Sequence, residues 1–594
     1  MALDEPARNA AERCGWTTIM ADALVEASEG DYWAAVDRVS QNWFRPDDHD
    51  LTVFNDVSLG NLLFFEFGDS ILYSLIRRAY LAQAIVERFA PTHIVVAGAS
   101  SPEIARVMAA AAPRATVRTV ALRSARPLRD MLDPRLLRLT LRRAGVDRVL
   151  RALVFRLGNM IRAFPSAPLK TDRGKVFAVV DIPTGSIMDT LAPVVRRLGA
   201  ERAIVLTTDP RAVSAMRSRG LSTRIFDPGT YRWSGHENRA AHRFVQDCWR
   251  TLDARLSRGA DAVRCRGLDL WPLMRDASRR LVLRRLPWAL RELAAARALL
   301  TDVRPSLILT ASDAHYAAQI FTVVGARLGI PSLSVQHGTF GQPFGYLPLR
   351  ASTLAVWGPA IKAWCVENGA PGHRIAVTGQ PRFDTLLARS RAVDRDGFLA
   401  GVQLATTLPT ILFAPESLSS CPELARWMTS QLVAALHDIA EMQVLVRPHP
   451  SDSEKQHRGG VPPQLAPRMV VNRQGDVAEA LAACDVVVLG QSTLGLEAMI
   501  VGRPVIMLLP EGGDRGAVPY AARGAALRAT SAETLRIALL EVIRGSDRAA
   551  ALRAGAQSFI EGHHASPLGG ATTNVVALIE QMVADSPRQS GAAA

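Results

Sequence analysis

Cysteine is scarce in this chain and is never arranged for metal or disulfide chemistry. The six residues (Cys14, Cys248, Cys265, Cys365, Cys421, Cys484) are scattered, without a Cys-x-x-Cys pair. That argues against a zinc site and a disulfide framework and fits a reducing compartment. No run of 18 or more uninterrupted apolar residues occurs, so no bilayer-spanning helix is expected. The N-terminus, Met1-Ala2-Leu3-Asp4-Glu5-Pro6, is acidic and lacks an apolar segment of the secretory type, so no signal peptide is expected. A Walker A sequence is missing, as is an Asp-x-Asp pair in a strand-end loop. Phosphate charge would then be met by helix termini, arginine and histidine, and no metal or other cofactor is expected. Zinc-finger spacing and aromatic RNA-binding strand motifs are also absent, so nucleic acid is not an expected partner.

What the chain has in excess is length and positive charge. With 594 residues it exceeds one hydrophobic core, so two or three domains are expected. Its formal net charge of +14 calls for phosphorylated substrates or an anionic surface. Between Arg135 and Arg162 stand eight arginines against the single acid Asp147, interleaved with leucine and valine at helical spacing. A second basic stretch, Arg275 to Arg291, has Trp271 and Trp288 near it. Basic amphipathic helices with tryptophan suit an anionic membrane surface; a solvated arginine face is the plainer alternative.

Hydrophobic periodicity divides the chain. Residues 1–85 read as a helical extension that includes the aromatic segment Leu62 to Phe67. From about residue 90, short β-branched runs alternate with helices, starting with a buried strand at His93 to Gly98. Strand–helix alternation implies parallel sheets, with ligands at the carboxyl ends of strands and at the topological switch point. The expected division is an N-terminal acceptor domain over 86–350, a nucleotide-donor domain over 351–585 and a polar tail over 586–594.

Four strand-end loops after residue 300 carry chemistry. In Gln336-His337-Gly338 a histidine at a strand exit, beside a glycine that admits a ligand, is suited to act as general base. In Arg447-Pro448-His449-Pro450 prolines stiffen a loop whose two cationic side chains can grip phosphate. In Gly490-Gln491-Ser492-Thr493 the hydroxyls stand at a helix start, where free N–H groups favour an anion, with Glu497 one turn inside. The last, Gly379-Gln380-Pro381-Arg382, is a turn that can line a nucleotide pocket, as can the strand exit Pro415-Glu416.

Taken in order with Trp357-Gly358 and Gly502-Arg503-Pro504-Val505, these motifs resemble the GT-B group of capsule polysaccharide (Kdo-type) transferases, CDP-glycerol glycerophosphotransferases and bacterial sialyl- and polysialyltransferases. The resemblance runs from about residue 300 to 545. It implies a GT-B-like α/β fold, two facing Rossmann-like domains with parallel sheets plus the helical extension. The implied activity is transfer of a sugar or sugar-like group from a CMP-, CDP- or UDP-linked donor to a glycan or lipid-linked acceptor. By the same resemblance His337 is the base, His449, Ser492 and Thr493 engage donor phosphate, and Glu497 contacts the ribose. The expected location is cytoplasmic, peripheral on the inner face of the plasma membrane.

Gly490-Gln491 stands where glycerophosphotransferases tend to have Asp-Tyr, and Leu489 where retaining enzymes have the first of two glutamates. Two rival readings share the fold. One is a UDP-N-acetylglucosamine 2-epimerase, whose Gly-Gly-x-x-Glu-Glu helix start is matched only at Glu497. The other is a non-catalytic scaffold or glycan-binding subunit.

Overall fold

The structure, a computed structural model, describes residues 29–97, 101–120, 170–180 and 184–586. Short gaps fall at 232, 315, 341, 419–420, 438, 451, 474, 512–518, 546 and 564–568. The arginine-rich segment 135–162, Cys14 and all of the expected tail except Ser586 lie outside the described residues. No disulfide joins the described cysteines.

The described residues open with α1 (Glu29–Asn42), a minimal hairpin of β1 (Val53–Phe54) and β2 (Val57–Ser58), then α2 (Leu59–Phe67). A π-helical turn, Gly68–Leu72, joins α2 to α3 (Tyr73–Phe89). By length and composition alone, Leu59–Phe89 is long and apolar enough to cross a membrane. Its side chains Leu63, Phe64, Phe67, Leu72 and Ile76 are nevertheless buried in the protein core, and Glu66, Asp69 and Arg77 interrupt it. Phe344, seven residues beyond His337, fastens this extension: its ring lies 5.1, 4.8 and 5.4 Å from those of Trp33, Phe64 and Phe65. Gly68 is small for the same reason, since a Cβ there would come within 2.3 Å of the Phe344 ring.

The expected buried strand at 93–98 forms, but in another setting. It is β3 (His93–Ala97), which pairs in parallel only with β4 (Thr116–Val120). Of its five side chains only Val96 is buried. The helix Ser101–Ala111 covers one face of this pair, where Val96 packs with Ala105, Val107 and Met108, whereas the main sheets are covered by helices on both faces.

The first large sheet contains β5 (Val176–Val179), followed by α4 (Gly185–Leu198), then β6 (Ala203–Thr207) and β7 (Thr223–Ile225). After α5 (Gly235–Leu256), a small hairpin of β8 (Arg264–Cys265) and β9 (Leu268–Asp269) leads to α6 (Trp271–Val303), which returns the chain to β10 (Leu307–Thr310). Next come α7 (Tyr316–Arg327), β11 (Ser332–Val335), β12 (Thr353–Val356) and β13 (Ile375–Val377). The order is β13-β12-β11-β10-β5-β6-β7, all parallel. Thr353–Val356 and Ile375–Val377, which the sequence division puts in the second domain, are therefore members of the first sheet.

The second sheet comprises β14 (Thr410–Ala414), β15 (Gln443–Val446), β16 (Met469–Val471), β17 (Val486–Leu489), β18 (Val505–Leu508) and β19 (Leu527–Ala529), with α8 (Leu494–Ile500) between β17 and β18. Its parallel order is β16-β15-β14-β17-β18-β19. Runs such as Val486-Val487-Val488-Leu489 are buried at every position, as strands covered on both faces must be. The expected α/β fold with two parallel sheets is present.

The closing helix, α9 (Ala571–Asp585), goes back to the first unit. Its Val575, Val576 and Ile579 join the cluster of Leu191, Val194 and Val195 of α4. Asp384 holds its start, accepting the Ala571 and Thr572 N–H groups at 3.0 and 2.7 Å.

The basic face of residues 275–291 is narrower than its composition suggests. Trp271 is buried, with its indole N–H on Asp253 and Ser257. Arg275 pairs with Asp253 at 2.6 Å. Arg285 turns inward to Glu66 and Glu292, at 3.2 and 2.9 Å. Arg279, Arg280, Arg284 and Trp288 face solvent, together with the paired Arg275 and the acid Asp276.

Candidate active site

Numbered along the chain, the strands of both sheets run third, second, first, fourth, fifth, sixth, and the first sheet adds a seventh at its edge. In this order the switch point lies between the first and fourth strands, where exit loops diverge and leave a crevice. The pairs are β5 and β10 in the first sheet, β14 and β17 in the second.

His337 follows β11, and its Nδ1 lies 2.6 Å from the Ala311 carbonyl, at the exit of β10. A carbonyl only accepts, so Nδ1 carries the proton and Nε2 keeps the basic lone pair. Burial pushes the imidazole below the usual histidine range; the Ala311 hydrogen bond opposes this and the Arg382 charge adds to it. A neutral ring with a fixed tautomer meets the requirement for a general base at neutral pH.

Gln336 has a supporting duty. It is buried, and its side-chain amide donates to the Gly338 carbonyl at 2.9 Å and accepts the Trp357 N–H at 3.0 Å. Its own carbonyl receives the Trp357 indole and the Gln380 amide, both at 2.9 Å. These bonds stiffen the turn that presents His337. A Cβ on Gly338 would meet nothing within 4 Å, so the approach there is open.

In the second sheet, β15 delivers Arg447, whose guanidinium donates to the Gly475 carbonyl at 3.0 Å, while His449 stands at the surface. The brace of this loop is a residue the motifs do not mark. Asp452, fully buried, accepts from Ser417 Oγ (3.1 Å), Leu418 N (2.8 Å) and His457 Nε2 (3.0 Å). Arg473 adds bonds to the Asp452 and Pro450 carbonyls, both 2.7 Å. In sequence Asp452 looks only like the approach to the capping box Ser453–Gln456; its partners come from the β14 exit and from His457 on the helix that follows.

Glu416, after the buried Pro415, crosses the second switch point. It accepts the Gln491 N–H at 2.8 Å, and burial raises its pKa while that bond opposes the shift. A Cβ at 490 would come within 2.4 Å of the Glu416 carboxylate, which is why glycine stands there.

The helix after Gly490 differs from expectation. It is α8, only seven residues long, and Thr493 makes no capping hydrogen bond. Ser492 Oγ instead accepts the Leu494 N–H at 3.2 Å. The Leu496 N–H is taken by the Tyr520 hydroxyl at 3.2 Å, and that hydroxyl donates to the Ser492 carbonyl at 3.0 Å. An anion here would rely on side-chain hydroxyls more than on the helix start.

Glu497 is not open to the cleft. It is buried and pairs with Arg382 (Nη2 to Oε1, 2.5 Å). Burial raises its pKa, and the charges of Arg382 and Arg447 oppose that shift. Arg382 comes from the turn after β13, where Gly379 adopts φ +82° and, with Thr378, donates to the Val356 carbonyl. The guanidinium lies over the Phe383 ring, 4.8 Å from its centroid.

A second bridge runs between the halves: Thr339 N and Oγ1 lie 3.4 and 3.5 Å from Thr493 Oγ1. The structure thus gathers His337, Arg382, Arg447, Thr493 and Glu497 at one junction. It leaves His449 at the rim and gives Gln336 and Glu416 to scaffolding. Among the described residues, no three His, Cys, Asp or Glu side chains converge as metal ligands would.

No protein-family profile matches the chain, and no curated protein matches it in sequence. Solved structures do. The UDP-GlcNAc 2-epimerase of Neisseria meningitidis, bound to UDP-GlcNAc, is 12% identical over 68% of this chain and 100% of its own, with TM-score 0.45. A glycosyltransferase of Rickettsia africae is 11% identical over 70% and 100%, with TM-score 0.46. An Anabaena protein solved with UDP-glucose is 13% identical over 69% and 98%, with TM-score 0.42. With TM-scores below 0.5, the reading of the site rests on its own geometry.

Proposed function

We propose that this chain is a glycosyltransferase of surface or capsular polysaccharide synthesis that uses a nucleotide-activated donor. The observation that carries the proposal is His337: a neutral imidazole, its tautomer set by Ala311, at the exit of one parallel sheet and across from the Arg447 and Ser492-Thr493 loops of another. In this reading His337 Nε2 takes the proton from an acceptor hydroxyl bound on the first unit. Arg447, His449, Ser492 and Thr493 neutralise the phosphate of the departing nucleotide. The acceptor is a glycan or lipid-linked saccharide, and Arg279, Arg280, Arg284 and Trp288 suit the inner face of an anionic membrane.

The epimerase reading needs acidic groups at the sugar. Glu416 is committed to the Gln491 N–H, which favours transfer. The test is a thermal-shift panel of CMP, CDP, UDP and GDP, followed by activity with the stabilising nucleotide's sugars. Ligand binding raises the melting temperature by mass action, so the acceptor need not be known. Stabilisation by CMP or CDP assigns a sialyl- or Kdo-type donor, and by UDP a hexose donor. Turnover of a UDP-sugar without an acceptor would replace transfer by epimerisation, and no shift with any nucleotide would leave the scaffold reading.

A further inference from the structure

The Arg382–Glu497 pair has no place in the scheme above, and its setting is unusual. It joins a turn of the first sheet to a helix of the second, at 2.5 Å, with both side chains largely buried (15% and 8% exposed). Burying two charges costs more than a well-packed apolar pair would, so such a pair is weak as a stabilising device. It is also incompletely satisfied: Arg382 Nε is buried and has no hydrogen-bond partner among the described residues. The ring of Phe383 beneath it is held edge-on by Trp357 at 5.6 Å, which fixes where the guanidinium can sit. Glu497 also feels the charge of Arg447. One carboxylate therefore answers to two arginines, and Arg382, the one in contact with it, also acts on His337.

We infer that Arg382 is a ligand of the donor phosphate and that Glu497 is a resident anion, held in the phosphate's place until the donor displaces it. A guanidinium presents a planar fork that suits two phosphate oxygens, and the unused Nε–H supplies the second tooth. A diphosphate has more charge and more oxygens than one carboxylate, so it can engage Arg382 and Arg447 together. Displacement of Glu497 releases a carboxylate beside the site only when donor is present. This inference rests on the nucleotide-donor reading and reverses the role of Glu497 from ribose ligand to competitor.

The test is isothermal titration of inorganic pyrophosphate, which has no ribose, and of UDP into the full chain at neutral pH. Wild type is compared with Arg382→Gln, Glu497→Gln and the double variant. Loss of the competitor tightens pyrophosphate by about fivefold in Glu497→Gln, and loss of the fork weakens it by about tenfold or more in Arg382→Gln. The double variant then follows Arg382→Gln. Should Arg382→Gln melt too early to titrate, Arg382→Lys keeps the charge, removes the fork and is expected to bind pyrophosphate severalfold more weakly than wild type. Weaker pyrophosphate binding in Glu497→Gln, or unchanged binding in the arginine variants, overturns the inference while leaving the donor site intact. Absence of binding by wild type and Glu497→Gln alike overturns the donor reading, and the inference falls with it.

Discussion

The two large sheets share a strand order but not an exit chemistry. In the first, the loops beyond β10 and β11 present one neutral histidine and a buried acid, Asp313, spent on the Arg350 and Ala351 N–H groups at 2.8 and 2.7 Å. In the second, the loops beyond β15 and β17 present an arginine, a histidine and two hydroxyls, braced from behind by Asp452 and Glu416. In the proposed function one scaffold thus carries a site for moving a proton and a site for holding an anion. Strand order decides where a crevice opens, and side chains in the first few residues after each strand decide what it does.

This contrast yields predictions, from large to small. In the proposed transferase, His337→Ala should lower turnover by about 10²–10⁴-fold, the usual contribution of a general base, while nucleotide affinity stays at the wild-type level. Turnover close to wild type would take the base away from the first sheet. Asp452→Ala strands His457 and the Leu418 N–H in the interior and should cost about 1–3 kcal/mol of stability. Denaturant melts read that loss, and titration of the same protein should show weaker nucleotide binding because the Arg447–His449 loop loses its anchor. Gly490→Ala should push Glu416 off the Gln491 N–H and cost about 1–3 kcal/mol, with reduced nucleotide affinity as the second readout. Asp384→Ala removes an acceptor from two N–H groups at the start of α9 and should cost about 0.5–2 kcal/mol, with little change in nucleotide binding.

The mildest effect concerns pH. Facing His337 are the Ala311 carbonyl, which supports its protonation, and Arg382, which opposes it with Glu497 behind. Its folded pKa is lowered, so its contribution to stability is complete above the unfolded value and is lost as pH falls towards the folded one. The acid limb of kcat/KM should lie below the usual histidine range and shift upward in Arg382→Gln. An acid limb that ignores that substitution would separate Arg382 from the base.

Much of this is legible in the sequence, and the failures have physical causes. Apolar runs such as Val444-Leu445-Val446 and Val486-Val487-Val488 announce buried parallel strands, and the residues just after them are the site candidates. Three edge strands do not stand out. Thr223–Ile225 and Leu527–Ala529 are three residues long with an arginine at the centre, and Met469–Val471 is as short. The division near residue 350 misses because β12 and β13 have the same composition whichever sheet they join; pairing with β11 is a tertiary fact. Glu497 reads as a first-turn helix residue, and only the approach of Arg382 from the other unit shows what occupies it. Asp452 and Tyr520 escape notice because Ser417 and Leu418, and Ser492 and Leu496, are distant from them in sequence.

In the proposed function the two sheets divide the labour, with proton transfer at the first and nucleotide binding at the second. The most direct test of that division is titration of the nucleotide chosen by the thermal-shift panel into wild type, His337→Ala and Arg447→Gln. His337→Ala should bind as wild type does and Arg447→Gln should lose about tenfold or more, the effect of removing one charged partner of a phosphate. Binding that survives in Arg447→Gln and fails in His337→Ala would contradict that division.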